Sequence, residues 1–87
     1  MNVRTQLHAG LCNMDTKRGI VIEAQGNGYY AAVRGEDGSK RFINPAYTSF
    51  YPMNQPLYYG EQVEYTLIPQ GYASAGKVAC VAPLQSQ

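Results

Sequence analysis

The chain has 87 residues, which is the length of one small domain, and a domain of this size buries only about 60% of the surface that its unfolded chain exposes. Its formal net charge is +1, from seven Lys and Arg against six Asp and Glu, so the overall charge provides no strong attraction to nucleic acid or to an anionic membrane. No stretch approaches the roughly 20 apolar residues of a membrane-spanning helix, and we expect no membrane partner.

Residues 1–16 differ in pattern from the rest of the chain. Val3, Leu7 and Leu11 fit both a helical spacing of four and the alternation of a strand. We expect a short helix or an irregular arm here, followed by one domain over residues 17–84 and a tail of residues 85–87.

The two cysteines, Cys12 and Cys80, are far apart and have no other Cys or His at metal-ligand spacing, so we expect no metal site. Two free thiols in a cytoplasmic protein are the interpretation we favour. A single disulfide that ties the N-terminal segment to the last strand is the alternative. The expected location is therefore the cytoplasm.

Strand signals begin at Lys17. The β-branched run Ile20-Val21-Ile22 predicts a strand, and the Gly26-Asn27-Gly28 sequence after it supplies residues that adopt positive φ in a tight turn. Glu36-Asp37-Gly38 is a second turn signal. These turns delimit a meander of three strands, over residues 19–24, 29–33 and 40–43.

The second half of the chain predicts two more strands. Residues 44–60 form a long connection with three prolines, which is too broken for a regular strand or for a helix longer than one turn. Val63, Tyr65 and Leu67 alternate with polar residues, which predicts a fourth strand with one core face, containing Tyr65, and one solvent-exposed face. A fifth strand is expected over residues 77–81, ended by Pro83.

Five short strands with a long link after the third predict an all-β protein with a closed or partly open barrel. Closure removes the exposed strand edges that a small β protein must otherwise protect. An SH3-like barrel, which also has five strands, is the alternative architecture.

Several motifs follow one another in a fixed order and spacing: Gly19-Ile20-Val21, Asp37-Gly38-Ser39-Lys40, Leu57 to Gly60 with Val63-Glu64-Tyr65-Thr66, and Gly76-Lys77-Val78-Ala79. Together they resemble the bacterial cold-shock domain over most of the chain. The resemblance implies a five-stranded OB-type barrel that binds single-stranded RNA or DNA by stacking bases on the second and third strands.

The chain departs from the pattern of that family at three places. The tryptophan position of the first strand falls on Glu23, whose charge repels a nearby phosphate. The Lys-Gly-Phe-Gly-Phe signature falls on residues 28–32, which keeps an aromatic ring at Tyr30 and loses one at Ala32. The third-strand signature falls on residues 41–45, with a register that is uncertain by one residue. Because stacking on an aromatic ring contributes roughly 1–3 kcal/mol per base, we expect weakened binding.

The resemblance makes Tyr30 and Phe42 the candidate stacking platforms. Both rings can alternatively pack on neighbouring strand residues, and a slip of one residue would turn Phe42 from an outward platform into core filler. The candidate phosphate contacts are Lys17, Arg18, Arg34 and Arg41.

The chain has eight Tyr and no Trp, and many of its aromatic residues follow the third strand. Aromatic surfaces with few charges are typical of protein interfaces. The alternative function is therefore a protein-interaction module, including self-association, that uses this tyrosine-rich loop. Its candidate contact residues are Tyr47, Phe50, Tyr51, Tyr58 and Tyr59.

Catalysis finds little support in the sequence. His8 is the only histidine, and no nucleophile can be paired with it from the sequence. The chain contains neither a phosphate-binding loop nor a metal motif. We expect no enzymatic activity and no cofactor.

Overall fold

A computed structural model describes residues 15–51, 53 and 55–84. The expected N-terminal arm, apart from residues 15 and 16, and the expected C-terminal tail lie outside the described residues. Within them the secondary structure is strand, turn and a single 3-10 turn, with no α-helix. The prediction of an all-β fold is confirmed.

The described residues form one six-stranded sheet in the order β3-β2-β1-β5-β6-β4. Neighbouring strands are antiparallel, except that β4 runs parallel to β6. The sheet curls until β3 comes into contact with β6, so it forms a half-barrel around the core. The strands are β1 Lys17–Gln25, β2 Tyr30–Gly35, β3 Lys40–Ile43, β4 Ser49–Phe50, β5 Gln62–Leu67 and β6 Val78–Pro83.

The sheet has one strand more than the five expected. The additional strand β4 lies in the proline-containing connection and pairs Ser49 with Cys80 and Phe50 with Val81. The hydroxyl of Thr48 donates a 2.6 Å hydrogen bond to the Val78 carbonyl immediately before this pairing. A two-residue strand fits between the prolines because it needs only a few backbone hydrogen bonds.

The first turn adopts the conformation that its sequence predicts. Gly26, Asn27 and Gly28 all have positive φ, at 59°, 62° and 90°. Gly28 is buried, and a Cβ atom there would lie 2.6 Å from the Leu57 carbonyl oxygen. The Leu57 amide donates a 2.9 Å hydrogen bond to the Gly28 carbonyl, so the long connection docks directly on this turn.

The main core lies inside the curl of the sheet. It consists mostly of β-branched residues on the inward positions of the strands, and Tyr65 belongs to it as predicted. Gly19 and Gly35 lie against the Tyr65 ring and hydroxyl, where any side chain would collide with them. Burial raises the pKa of Tyr65 above its ordinary value of 10, and the carboxylate of Asp37 raises it further. The largest core members are Val21, Val33, Ile43, Phe50, Leu57, Val63, Tyr65, Val78 and Val81.

Strand β5 is buried on both faces, whereas the sequence predicted one solvent-exposed face. Glu64 and Thr66, which the alternation placed on the solvent-exposed face, are only 5% and 1% exposed. Thr66 lies opposite Cys80 on β6, which is also buried. Alternation identifies the residues that share a face, but it carries no information on whether that face is covered, and this is why the prediction was wrong.

A second, smaller apolar cluster lies on β6 and the segment after β5. Ile68, Ala79 and Cys80 are buried together, with Tyr47 and Tyr51 packed against them. Cys80 is disulfide-bonded, so the expectation of a free thiol at this position is wrong. Cys12, the other cysteine of the chain, lies outside the described residues. Among the described residues, no helix is long and apolar enough to cross a membrane.

Candidate functional site

Strand β1 contains an irregularity that shapes its outward side. Val21 pairs with Val33 and Glu23 pairs with Ala32, so Ile22 is one residue in excess and forms a β-bulge. A bulge bends the strand and re-aims its side chains. Val21 therefore enters the core, while Glu23 lies on the exposed side of the sheet. We call the side of β1, β2 and β3 that faces away from the core the outer face.

Residues on this face line up in rows across the strands. One row places Ile20 of β1 beside Arg34 of β2, which lies opposite Lys40 of β3. The next row runs from Glu23 through Ala32 to Phe42. Ala32 is completely buried between its two larger neighbours, so this position of β2 is covered and forms no open gap in the face.

Two aromatic rings project from the outer face. Tyr30 is 51% exposed and Phe42 is 48% exposed, although both lie within strands. The register places Phe42 opposite Ala32 and turns its neighbour Ile43 into the core. Of the two registers considered from the sequence, the structure thus has the one in which Phe42 points outward.

Gly26 positions the ring of Tyr30. A Cβ atom at Gly26 would lie 2.6 Å from Cδ1 of Tyr30, so the ring rests directly on the glycine backbone. The positive φ of Gly26 is a conformation that other residues adopt only at a cost. A change in the conformation of the turn would therefore displace the Tyr30 ring.

The negative charge of Glu23 has a positively charged partner, Lys40, on the same face. Nζ of Lys40 lies 2.7 Å from Oε2 of Glu23, and the same ammonium lies 5.3 Å from the centre of the Phe42 ring. Both charged side chains are partly exposed, so the pair contributes little to stability. Its electrostatic effect is local, because Lys40 offsets the repulsion that Glu23 alone would exert on a phosphate.

The bulge separates two shallow grooves on the outer face. The aromatic groove has a volume of about 320 Å³. Glu23, Tyr30 and Phe42 line it, and so do Gln25, Asn44, Tyr47 and Lys77. The arginine groove, of about 410 Å³, lies on the other side of the bulge and is lined mainly by Arg18, Ile20, Ile22, Arg34 and Glu36. Ile22 and Glu23 are adjacent in sequence but face different grooves.

Four of the predicted nucleic-acid contacts share the outer face, namely Arg18, Tyr30, Arg34 and Phe42. The remaining two are elsewhere. Arg41 lies opposite the core residue Val33 and donates a 3.3 Å hydrogen bond to the Gly76 carbonyl, and Lys17 alternates in phase with the inward residue Val21.

Lys17 and Arg41 instead contribute to the electrostatics of the turn between β2 and β3. The Ser39 amide donates a 2.9 Å hydrogen bond to Oδ1 of Asp37. This bond, assisted by the charges of Arg41 and Lys17, lowers the pKa of Asp37 below its ordinary value. Both cations therefore act on the β2–β3 turn, and neither belongs to the outer face.

No protein-family model matches the chain. No curated protein matches it either. The functional assignment therefore depends on the arrangement of the side chains themselves.

The residues of the alternative partner-binding surface are dispersed. Tyr58 and Tyr59 are adjacent and exposed, at 64% and 77%, in the turn before β5. Tyr47 and Tyr51 are half-buried against the second cluster. Phe50 packs edge-on against Tyr29, with ring centres 5.4 Å apart, and belongs to the main core.

Ile20, Glu23 and Lys40 belong to the outer face but were not among the residues predicted to bind. The bulge that turns Glu23 outward has no clear sequence signal, whereas the position of Lys40 at the start of β3, after a turn, could have indicated a cation on this face. No group of three or more metal-ligating side chains occurs among residues 15–51, 53 and 55–84.

Proposed function

We propose that the protein binds single-stranded RNA or DNA through the outer face of β1–β3, on a barrel of the OB, cold-shock-like type. The observation that carries this proposal is the pair of half-exposed rings, Tyr30 and Phe42, on adjacent strands of one face. Aromatic rings that project from a sheet offer stacking surfaces for unpaired bases of any sequence.

The strand arrangement supports the OB-type assignment. The first three strands form a meander, β1 also pairs with β5, and the curl brings β3 against β6. An OB-fold is a partly open five-stranded barrel that binds oligonucleotides on its second and third strands. The short β4 is then an addition to that plan.

Cations on the same face supply the phosphate contacts. Arg18, Arg34 and Lys40 contribute three positive charges, and Lys77 in the lining of the aromatic groove contributes a fourth. They stand against the negative charges of Glu23 in the aromatic groove and Glu36 in the arginine groove. Contacts of this kind fix the position of a strand without reading its sequence. The backbone of the nucleic acid would follow the arginine groove, and its bases would stack in the aromatic groove.

The expected affinity is low. Two stacked bases contribute about 2–6 kcal/mol in total, and a Kd of 1 mM already corresponds to about 4 kcal/mol. A small local excess of positive charge adds only modestly to this free energy. We expect binding between micromolar and millimolar concentration at low salt.

The proposal is tested by titrating the protein with oligothymidine and with a mixed-sequence RNA while recording amide chemical shifts. Shift changes should concentrate on β1–β3. Tyr30→Ala should weaken binding about fivefold to 150-fold, because one stacked base contributes roughly 1–3 kcal/mol. Tyr72→Ala, at an equally exposed ring in the loop between β5 and β6, is the matched control and should leave the affinity unchanged. An absence of shift changes on β1–β3 at millimolar oligonucleotide would overturn the proposal.

A second candidate function is a protein interface, including self-association, and one observation favours it. Tyr58 and Tyr59 form an adjacent exposed pair outside the two grooves. If sedimentation showed self-association that Tyr59→Ala abolished, with the outer face unaffected by oligonucleotides, this function would replace the first.

The cytoplasmic location predicted from the sequence stays a prediction, and the disulfide at Cys80 weighs against it. Disulfides persist mainly in oxidising compartments. Alkylation of free thiols in freshly lysed cells would measure the state of Cys80 directly.

A further inference from the structure

Glu23 lies inside the proposed binding face, next to both stacking candidates. It lines the same groove as Tyr30 and Phe42 and is opposite the buried Ala32. Oε2 of its carboxylate accepts the hydrogen bond from Lys40, while Oε1 makes no hydrogen bond to any of the described residues. A base stacked on either ring would therefore have a hydrogen-bond acceptor beside its edge.

A carboxylate discriminates among bases because it accepts hydrogen bonds and cannot donate them. Cytosine, adenine and guanine carry an exocyclic amine, which donates. Uracil and thymine carry a carbonyl oxygen where cytosine carries its amine. Their one donor on this edge, N3–H, lies between two carbonyl oxygens, which repel an approaching carboxylate. Acceptance from the N4 amine of cytosine is a known contact of Glu and Asp with base edges.

We infer that the aromatic groove prefers bases that carry an exocyclic amine, namely cytosine, adenine and guanine, over uracil and thymine, and that Glu23 determines this preference. The inference deepens the proposed function and rests on it. Glu23 does not catalyse or anchor; it selects among bases that the rings bind without distinction.

Asn44 supplies a donor on the same groove. Its Oδ1 already accepts a 2.8 Å hydrogen bond from the Ala46 amide, so its Nδ2 is the group that remains for a ligand. Cytosine presents acceptors, its ring nitrogen N3 and its O2, next to its amine. An acceptor at Glu23 and a donor at Asn44 thus match the mixed edge of such a base.

Lys40 links phosphate binding to this selection. In the free protein its ammonium occupies one oxygen of Glu23 and lies near the Phe42 ring. A phosphate of a bound strand offers Lys40 another anionic partner. Movement of Lys40 to that phosphate would leave both oxygens of Glu23 available to the base and uncover the ring.

The experiment compares oligodeoxycytidine with oligothymidine of equal length, at a mildly alkaline pH where cytosine is unprotonated. Wild-type protein should bind the cytidine strand about fivefold more tightly, the lower end of the discrimination expected for a good contact to a base edge. In Glu23→Gln the ratio should fall to about one, because an amide both donates and accepts and can pair with either base. Affinity for both strands should rise, since a negative charge is removed.

Glu36→Gln is the matched control, because it removes the same charge from the arginine groove on the same face. It should raise affinity for both strands while preserving their ratio. Equal or tighter binding of thymidine by the wild type, or an unchanged ratio in Glu23→Gln, would overturn the inference and leave the proposed function intact if Tyr30→Ala still weakens binding. If neither strand binds, the proposed function and this inference both fail.

Discussion

The glycine at position 26 has two separate roles, and each has its own physical cause. Its backbone has φ of 59°, which starts the turn between β1 and β2. Its missing side chain leaves the space in which the Tyr30 ring lies. The sequence predicts the first role, since Gly-Asn-Gly is a turn signal, but not the second, because contact between a turn backbone and a ring depends on the rotamer of Tyr30.

Gly26→Ala should therefore affect both stability and binding. We expect a loss of about 1–2 kcal/mol from the left-handed backbone conformation, together with displacement of the Tyr30 ring and weaker oligonucleotide binding. Urea denaturation and the oligonucleotide titration measure the two effects separately.

Gly71→Ala, in the loop between β5 and β6, is the control for that substitution. Its φ of 96° imposes a similar backbone penalty, but nothing lies within 4 Å of a Cβ atom there. It should destabilise the protein without changing its affinity. If both variants bound oligonucleotides equally well, the contact between Gly26 and Tyr30 would have no role in binding.

At the scale of the elements, the four longer strands and β3 follow from local sequence signals, while the short strand β4 does not. Turn residues and β-branched runs located the meander and the last two strands to within a few residues. Strand β4 depends on pairing with β6, some thirty residues further along the chain, and on the hydroxyl of Thr48. Such long-range pairing has no periodic signal in a segment of two residues.

Thr48→Val tests the contribution of this hydroxyl. It donates to the Val78 carbonyl and accepts from the Asn44 amide, and the residue is buried. Valine has the same shape but no hydroxyl, so the Val78 carbonyl and the Asn44 amide would each lose a hydrogen bond, at a cost of about 1–3 kcal/mol. Urea denaturation is the measurement.

Thr66→Val makes the same substitution at a second buried threonine, whose hydroxyl differs from that of Thr48 in its hydrogen bonding. Among the described residues the buried Thr66 hydroxyl has no hydrogen-bond partner, so its loss removes an uncompensated polar group. We expect this variant to be neutral or more stable, by up to about 1 kcal/mol. Equal destabilisation by both substitutions would contradict the assigned roles of the two hydroxyls.

At the scale of the whole molecule, one end of the half-barrel concentrates charge around a buried phenol. Tyr65 lies against Gly19 and Gly35, and its pKa is raised by burial and by Asp37, then by Glu36, while Arg41 opposes the shift. The folded state thus favours the neutral ring more strongly than the unfolded state does. Tyr65 of β5 thus interacts with β1 through its ring and with the β2–β3 turn through the charges there.

Alkaline pH should therefore weaken the fold through Tyr65. Because its folded pKa lies above the ordinary value of 10, the contribution is fully present below about pH 10 and is lost as the pH rises through the folded pKa. The melting temperature should fall over this range, and Tyr65→Phe should reduce the steepness of the fall. Identical profiles for the two proteins would show that Tyr65 is not responsible.

The sequence predicted the all-β class and the core position of Tyr65 because each depends on a local pattern. Tyr30 became a candidate only through the resemblance to the cold-shock domain, with packing on its neighbours as the alternative. The sequence favoured free thiols over the disulfide that Cys80 forms, which was the alternative, and it did not predict the covered outer side of β5, since both depend on which distant segments meet. For the same reason, the sequence did not show which of the predicted cations lie on the outer face. Arg34 and Arg41 look alike in sequence, but strand register places them at opposite sides of the sheet.

If the outer face binds nucleic acid as proposed, the bulge at Ile22 would also determine the kind of polymer that it accepts. A bulge bends its strand and increases the local twist, so the two grooves on either side of it do not share a plane. The described part of the chain extends over only 34 × 27 × 26 Å, and a ligand that occupies both grooves would have to turn within that distance. Double-stranded DNA, with a persistence length of about 50 nm, stays nearly straight over such a span. The curvature of one strand would thus exclude a rigid duplex and admit a flexible single strand.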